Sequence, residues 1–279
     1  MGLRAGIPDR ELTSMRPWQF YFQRSLLLVT VPLVALFLIL PLLSLVERTL
    51  RIGAGHALSG NLLREAIWVS LSTTTLSALF ILIIGTPFAY VLARKEFPLR
   101  GLINILVDIP IVLPPAAAGI ALLLAFGRNG LLSQWLPGIQ LEITFTRTAV
   151  IFAQLFVAAP LYIRVAHLRF QQRQVELEEA AQVDGASPWR VFWSVTFPLA
   201  APTLAGGIVL SWARAAGEFG ATLVFAGNLR ATTQTLPLLI ERALATDIDA
   251  AIASAAFLLI LAFFALLLAR WLLRLPDKM

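Results

Sequence analysis

The sequence contains no cysteine, and charge is scarce: only 14% of its 279 residues are Asp, Glu, Lys or Arg. Without cysteine there are no disulfides, iron–sulfur clusters or thiolate zinc sites. Histidine occurs twice, at His56 and His167, too far apart in sequence to suggest a metal centre. No metal ligand and no catalytic residue is read from the chain. Lysine also occurs twice, at Lys95 and Lys278, and neither sits in a glycine-rich phosphate loop, so no ATPase site is expected. The shortage of charge excludes the most. Soluble domains are about 25% charged. A chain with 58% hydrophobic residues and a mean hydropathy of +0.81 cannot cover itself in water. It belongs in a membrane.

The remaining composition bounds the architecture. A crossing helix needs about 20 apolar residues, so a chain of 279 holds several crossings and no large extramembrane catalytic domain. The net charge is +6 and the pI about 10.7. In a soluble protein that would suggest nucleic acid. Here the basic residues flank apolar runs, no basic run exceeds Arg94-Lys95, and they are read as orientation signals at the lipid surface. No nucleic-acid partner is expected.

Apolar runs predict an all-α, polytopic membrane bundle of six transmembrane helices, at about 25–46, 66–93, 101–126, 148–166, 202–226 and 250–273. The first run follows arginines like a signal peptide, but no small-x-small cleavage site follows it, and it is read as an uncleaved span. The second carries a stripe of Ser70, Thr74 and Ser77, small enough for close helix approach in lipid. In the third, Pro114 and Pro115 predict a break that lines a cavity, and Asp108 is read as a cap for a break before Pro110. Lys and Arg number about 14 in the loops on one side and about 7 on the other. The richer side marks the cytoplasm, which puts both termini inside. Cysteines introduced at Gly138 or Gly227 are then expected to react from outside, and one at Ser187 not. The whole chain, 1–279, reads as a single transmembrane domain.

The longest internal loop, 169–201, lies on the cytoplasmic side and predicts two helices joined by a corner. Residues 171–184 are helix formers, Gly185 stands where a left-handed residue ends a helix, and Ser187-Pro188 is an N-cap followed by a first-turn proline. The second helix displays Trp189, Phe192 and Trp193 and is expected to end at Pro198. Two readings fit: an amphipathic pair lying on membrane lipid, or a docking knob made close-fitting by Ala180, Ala181, Gly185 and Ala186.

Glu179-Ala180-Ala181, then Gly185, then Val195-Thr196-Phe197-Pro198 resembles the EAA signature of ABC importer permeases, although Val195 and Phe197 depart mildly from its usual ending. The resemblance implies coupling to a cytoplasmic ATP-binding subunit through Glu179, Ala180, Ala181, Gly185, Ala186 and Trp189. It also implies a second permease copy, an extracytoplasmic binding protein, and a place in a bacterial inner membrane. This chain would need no cofactor, since ATP and magnesium would bind the partner.

Arg214 and Glu218 are charges inside the fifth span, where each costs about 2.5–3.5 kcal/mol on insertion scales. On one continuous helix, Ser211, Arg214, Glu218 and Thr222 share an arc of about 80°. The expectation is either a structural ion pair or a face lining the translocation pathway, together with Pro114 and Pro115. Gly217-Glu218-Phe219-Gly220, Gly227-Asn228, Thr233-Gln234-Thr235-Leu236-Pro237 and residues 109–123 resemble permeases of the molybdate/tungstate and sulfate group, leaning toward molybdate. The alternatives are a sulfate or thiosulfate permease, or an ion-coupled secondary transporter using Asp108 and Glu218 as proton relays.

Overall fold

The computed structural model describes residues 17–53, 61–136, 142–172 and 175–274, with side chains described from Leu28 to Leu273. Arg4, Arg10, Arg16, His56, Gly138, Arg173 and Lys278 lie outside the described residues, as does the side chain of Arg24. Two units divide the chain at Arg48.

The first unit is carried by helix α1, Pro17–Ile52. From Leu28 to Arg48 no side chain is buried, and leucines, valines and a phenylalanine emerge on every side. A helix that is apolar all round is a membrane element, not a surface helix of a soluble domain. Pro32 and Pro41 lie inside it without ending it, and Ser44 Oγ bonds back to the Pro41 carbonyl at 2.8 Å.

The second unit is a helix bundle: α2 (Asn61–Arg94), α3 (Arg100–Val112), α4 (Pro115–Phe126), α5 (Leu131–Trp135), α6 (Arg147–Gln171), α7 (Val175–Val183), α8 (Pro188–Val191), a π-helical turn (Phe192–Thr196), α9 (Phe197–Ala216), α10 (Gly220–Ala226), α11 (Leu236–Leu244) and α12 (Ile248–Arg274). α6 is the central post, packed against α2, α9, α10, α3 and α4. Its small face makes this possible: Ala149, Ala153, Ala158 and Ala166 are fully buried. One end of α6 forms a core with α2 and α9 around Tyr162 and Phe170, the other a core with α4 and α10 around Phe225.

Helix association in lipid relies on close packing and interhelical hydrogen bonds, because lipid is as apolar as leucine. The hydroxylated stripe of α2 supplies both. Ser77 donates to Gln154 Oε1 at 3.0 Å, Gln154 Nε2 donates to Thr74 at 3.1 Å, and the Thr86 and Tyr162 hydroxyls lie 2.6 Å apart. Ser70 accepts the Leu236 amide at 2.7 Å.

Among the described residues, six segments are long and apolar enough to cross a membrane: Leu28–Ile52, Asn61–Arg94, Pro115–Trp135, Arg147–Gln171, Pro188–Ala216 and Ile248–Leu273. The number agrees with the hydropathy pattern, but the third and fifth segments differ in form. Residues 101–126 are two helices, broken where Leu113 is extended ahead of Pro114, as a residue before proline prefers. Pro110 causes no break and lies inside α3. The expected fifth span, 202–226, starts earlier and is interrupted at Gly217–Phe219. Pro198 does not end the loop's second helix. The Phe197 amide bonds to the Phe192 carbonyl, five residues back, and this widened turn admits the proline ring so that the helix runs on.

Candidate functional site

Two corners hold most of the singled-out residues. The first is the elbow between α7 and α8. The Ala186 amide bonds to the Ala181 carbonyl and the Gly185 amide to the Gln182 carbonyl, both at 3.0 Å, which is the Schellman ending of a helix. Gly185 occupies the left-handed position this ending needs, with φ of +85°. Ser187 Oγ accepts the Arg190 amide at 3.4 Å, capping the next helix, and Pro188 takes its first position. Glu179, Ala180, Gly185 and Trp189 are exposed, Trp189 by 71%, while Ala181 and Ala186 are half-buried. A Cβ built on Gly185 would meet nothing within 4 Å. All six residues expected at the coupling corner therefore cluster on one projecting elbow, with room on its outer side.

Behind the elbow, aromatic rings pack in series. Trp189 stacks on Phe192, Trp193 packs edge-on against both, and Phe192 meets Tyr90 of α2 at 4.9 Å between centroids. Below them is a carboxylate that sequence reasoning missed. Glu178 is buried and accepts both terminal nitrogens of Arg94, at 2.9 and 2.6 Å, and the Thr196 hydroxyl at 3.1 Å. Its neighbour Glu179 carries the motif and faces outward. No sequence signal distinguishes the two, since the partner Arg94 is 84 positions away.

The second corner is the interruption between α9 and α10. Glu218 is buried in it. Its Oε2 accepts from Arg214 Nη1 at 2.8 Å, and its Oε1 accepts the Ala221 amide at 3.0 Å, capping α10. The Arg214 side chain remains 40% exposed. The single polar face expected for Ser211, Arg214, Glu218 and Thr222 is not formed, because the chain leaves the helix at Gly217. Ser211 is buried and donates to the Ala158 carbonyl of α6 at 2.8 Å. Thr222 is buried, and its hydroxyl has no partner among the described residues. The structure joins Arg214 to Glu218 and ties Ser211 instead to the central post.

Pro114 and Pro115 lie beside this corner. A Cβ on Gly220 would stand 2.8 Å from the Cβ of Pro115, and one on Gly119 would stand 2.7 Å from that of Val224. The helix breaks of segments three and five are thus in contact, which only glycine at these two positions permits.

Asp108 has a different role from the cap expected of it. It pairs with Arg164 of α6, whose Nε lies 2.5 Å from Oδ1, and Arg164 also bonds to the Asn104 carbonyl at 3.2 Å. This fork ties α3, which buries no residue, to the central post. The run Thr233–Pro237 is architectural. Thr233 accepts the Leu229 amide, and Gln234 bonds to Asn228, whose own amide bonds to the Leu238 carbonyl. Nearby, Arg230 is paired with Glu65 at 2.8 Å, and that bond raises the guanidinium above its ordinary value.

Among the described residues the chain is a bundle of apolar helices long enough to cross a membrane, two of its segments interrupted, which defines a polytopic membrane protein. The chain belongs to the family of binding-protein-dependent transport system inner membrane components, whose family model matches residues 85–277. It is similar to the probable transport system permease protein NifC of Clostridium pasteurianum, 41% identical over 215 residues, which is 76% of this chain and 75% of that one. It is also similar to the molybdenum transport system permease protein ModB of Haemophilus influenzae, 38% identical over 217 residues, 77% of this chain and 95% of that one. Its fold matches a chain of a bacterial alginate ABC transporter crystallised with a periplasmic protein, with a TM-score of 0.75 and 20% identity, over 94% and 97% of the two chains. The protein is therefore an inner-membrane permease subunit of an ABC importer. ATP hydrolysis belongs to another subunit, and a solute-binding protein is the other general partner of such systems.

Proposed function

We propose that this permease imports a tetrahedral oxyanion, molybdate or tungstate, and that residues 1–279 act as one transmembrane domain beside a second copy of the chain. The observation that carries the substrate is the identity of 38% over 77% of this chain with a permease named for molybdenum. The half-exposed Arg214 supports it: a single guanidinium, partly neutralised by Glu218, attracts a dianion without a deep well that would trap it. Pro114 and Pro115, beside the same corner, complete a cradle of interrupted helices, the form of irregular backbone tolerated in a membrane where it lines a cavity.

The Gly185 elbow is the contact for the ATP-binding subunit, with Glu179, Ala180, Ala181, Ala186 and Trp189 as its docking surface. Both termini are cytoplasmic, as the arginine excess supports. Cysteine labelling with an impermeant maleimide tests the orientation: Ser187→Cys is expected to stay unlabelled in sealed cells and Asn129→Cys to react. Asn129 is a better outer position than Gly227, whose φ of +68° and contact with Phe145 disfavour a side chain.

A deletion strain tests the substrate. Loss of molybdoenzyme activity, rescued by excess molybdate, with normal growth on sulfate is the expected result. Sulfur auxotrophy with intact molybdoenzymes would move the assignment to sulfate. Gly185→Val, strained at a positive φ by about 1–2 kcal/mol, is expected to insert normally but abolish uptake. Gly185→Asn, which tolerates that backbone, is expected to keep most of it.

A further inference from the structure

Beyond the chain link from α6 into α7, two connections run from the elbow to its neighbouring helices. One is covalent: Trp189 stands in the run Pro188–Ala216, which ends at the corner holding Glu218. The other is a joint of side chains. The last residue of α2, Arg94, grips Glu178 of α7 with both terminal nitrogens, and Thr196, the last residue of the π-helical turn, donates to the same carboxylate. Three segments thus meet on one side chain. The Arg94 and Glu178 side chains are only 10% and 9% exposed. The Arg94 guanidinium also stands 5.7 Å over the ring of Tyr90, which packs edge-on against Phe170 and Phe192. Its Nε has no partner among the described residues, and Arg94 and Glu178 line a cavity of about 10 Å³, close to the volume that one water needs.

Neither the fold of the elbow nor its exposure requires this joint. α7 is capped by its own backbone, and a buried ion pair is a weak source of stability compared with apolar packing. What a bidentate fork does supply is fixed geometry, because a planar guanidinium and a carboxylate meet in one orientation.

We propose that Arg94, Glu178 and Thr196 are positioning residues that transmit displacement of the elbow into α2, in parallel with its transmission into α9. From α2 the displacement reaches α6 through Thr74, Ser77 and Thr86, whose hydroxyls are bonded to Gln154 and Tyr162. The motor would then drive both neighbours of the central post together, one through the chain and one through the fork. This inference rests on the elbow being the motor contact.

The test uses the whole complex of permease, ATP-binding subunit and binding protein, in proteoliposomes with labelled molybdate. Arg94→Lys keeps the charge and removes the fork; Thr196→Val keeps the shape and removes one bond. Both are expected to retain the motor subunit at wild-type ratio and to hydrolyse ATP. Anion imported per ATP is expected to fall about tenfold in Arg94→Lys and about threefold in Thr196→Val. An unchanged ratio in both overturns the proposal. Loss of the motor subunit from Arg94→Lys also overturns it, because the fork would then belong to docking. If Arg94→Lys fails to insert, the ratio in Thr196→Val decides alone. Absence of molybdate uptake by the wild type would refute the substrate reading, and binding-protein-stimulated ATP hydrolysis then reports coupling. Unimpaired uptake by Gly185→Val would remove the elbow reading itself.

Discussion

Each of the two corners carries an arginine–glutamate pair, and the pairs are built in opposite ways. At the elbow, Arg94 and Glu178 come from positions 84 apart and are both shielded from solvent. At the interruption, Arg214 and Glu218 are one helical turn apart; the carboxylate is 1% exposed and the guanidinium 40%. In the first pair the two charges meet through two hydrogen bonds, at 2.9 and 2.6 Å. In the second, Glu218 has a further partner in the Ala221 amide, and Arg214 stays partly exposed. The tertiary pair is covered on both sides, whereas the local pair leaves its guanidinium partly uncovered.

The largest effect is expected where a shielded charge is stranded. Arg94→Met removes both guanidinium hydrogen bonds from the buried Glu178 carboxylate, a loss of about 3–5 kcal/mol. The expected readout is a lower unfolding temperature of the purified permease in detergent and reduced membrane abundance. Stability equal to wild type would show that Glu178 finds water or protonates, and the contrast between the two pairs would disappear.

A smaller stability effect with a larger functional one is expected at the other pair. Glu218→Leu removes the cap of α10, at a cost of about 1 kcal/mol, while the released Arg214 can reach a polar environment. The double change of Arg214→Met with Glu218→Leu is expected to fold and to transport poorly, measured as labelled molybdate uptake per inserted permease. Full transport by the double variant would reduce this pair to architecture as well.

The smallest effect is expected at a third ion pair. Asp108 and Arg164 are 40% and 33% exposed. Partly exposed pairs contribute about 0–1 kcal/mol, so Asp108→Asn is expected to shift the unfolding temperature little. It should instead loosen α3, read as faster amide hydrogen exchange over 100–112. Unchanged exchange there would mean that the Asn104 contact alone holds the helix.

Much of this arrangement was legible beforehand because it is written in local chemistry. Gly185 with Ser187 and Pro188 specifies a helix ending and a helix start within four positions, and the backbone follows it. The double proline at 114–115 specifies a break for the same reason. Pro198 and Pro110 were misread as breaks because a proline ends a helix only where its ring clashes with the preceding turn. The π-helical turn before Pro198 removes that clash through a hydrogen bond that no residue pattern announces. Glu218 stands out in the sequence by its charge in an apolar run, but its burial follows from the interruption at Gly217, which a continuous helical wheel cannot represent.

The sequence by itself determined the membrane class, the number of candidate spans, the glycine elbow and the two prolines of the third segment. All of these depend on composition or on residues within one or two turns of each other. Only the tertiary structure decided that Glu178, and not Glu179, anchors the elbow, that Asp108 belongs to Arg164, and that Gly220 lies against Pro115. These are contacts between segments distant along the chain. In lipid they are selected by shape and by hydrogen bonds that must be satisfied inside the bundle, and neither requirement leaves a periodic trace in the sequence.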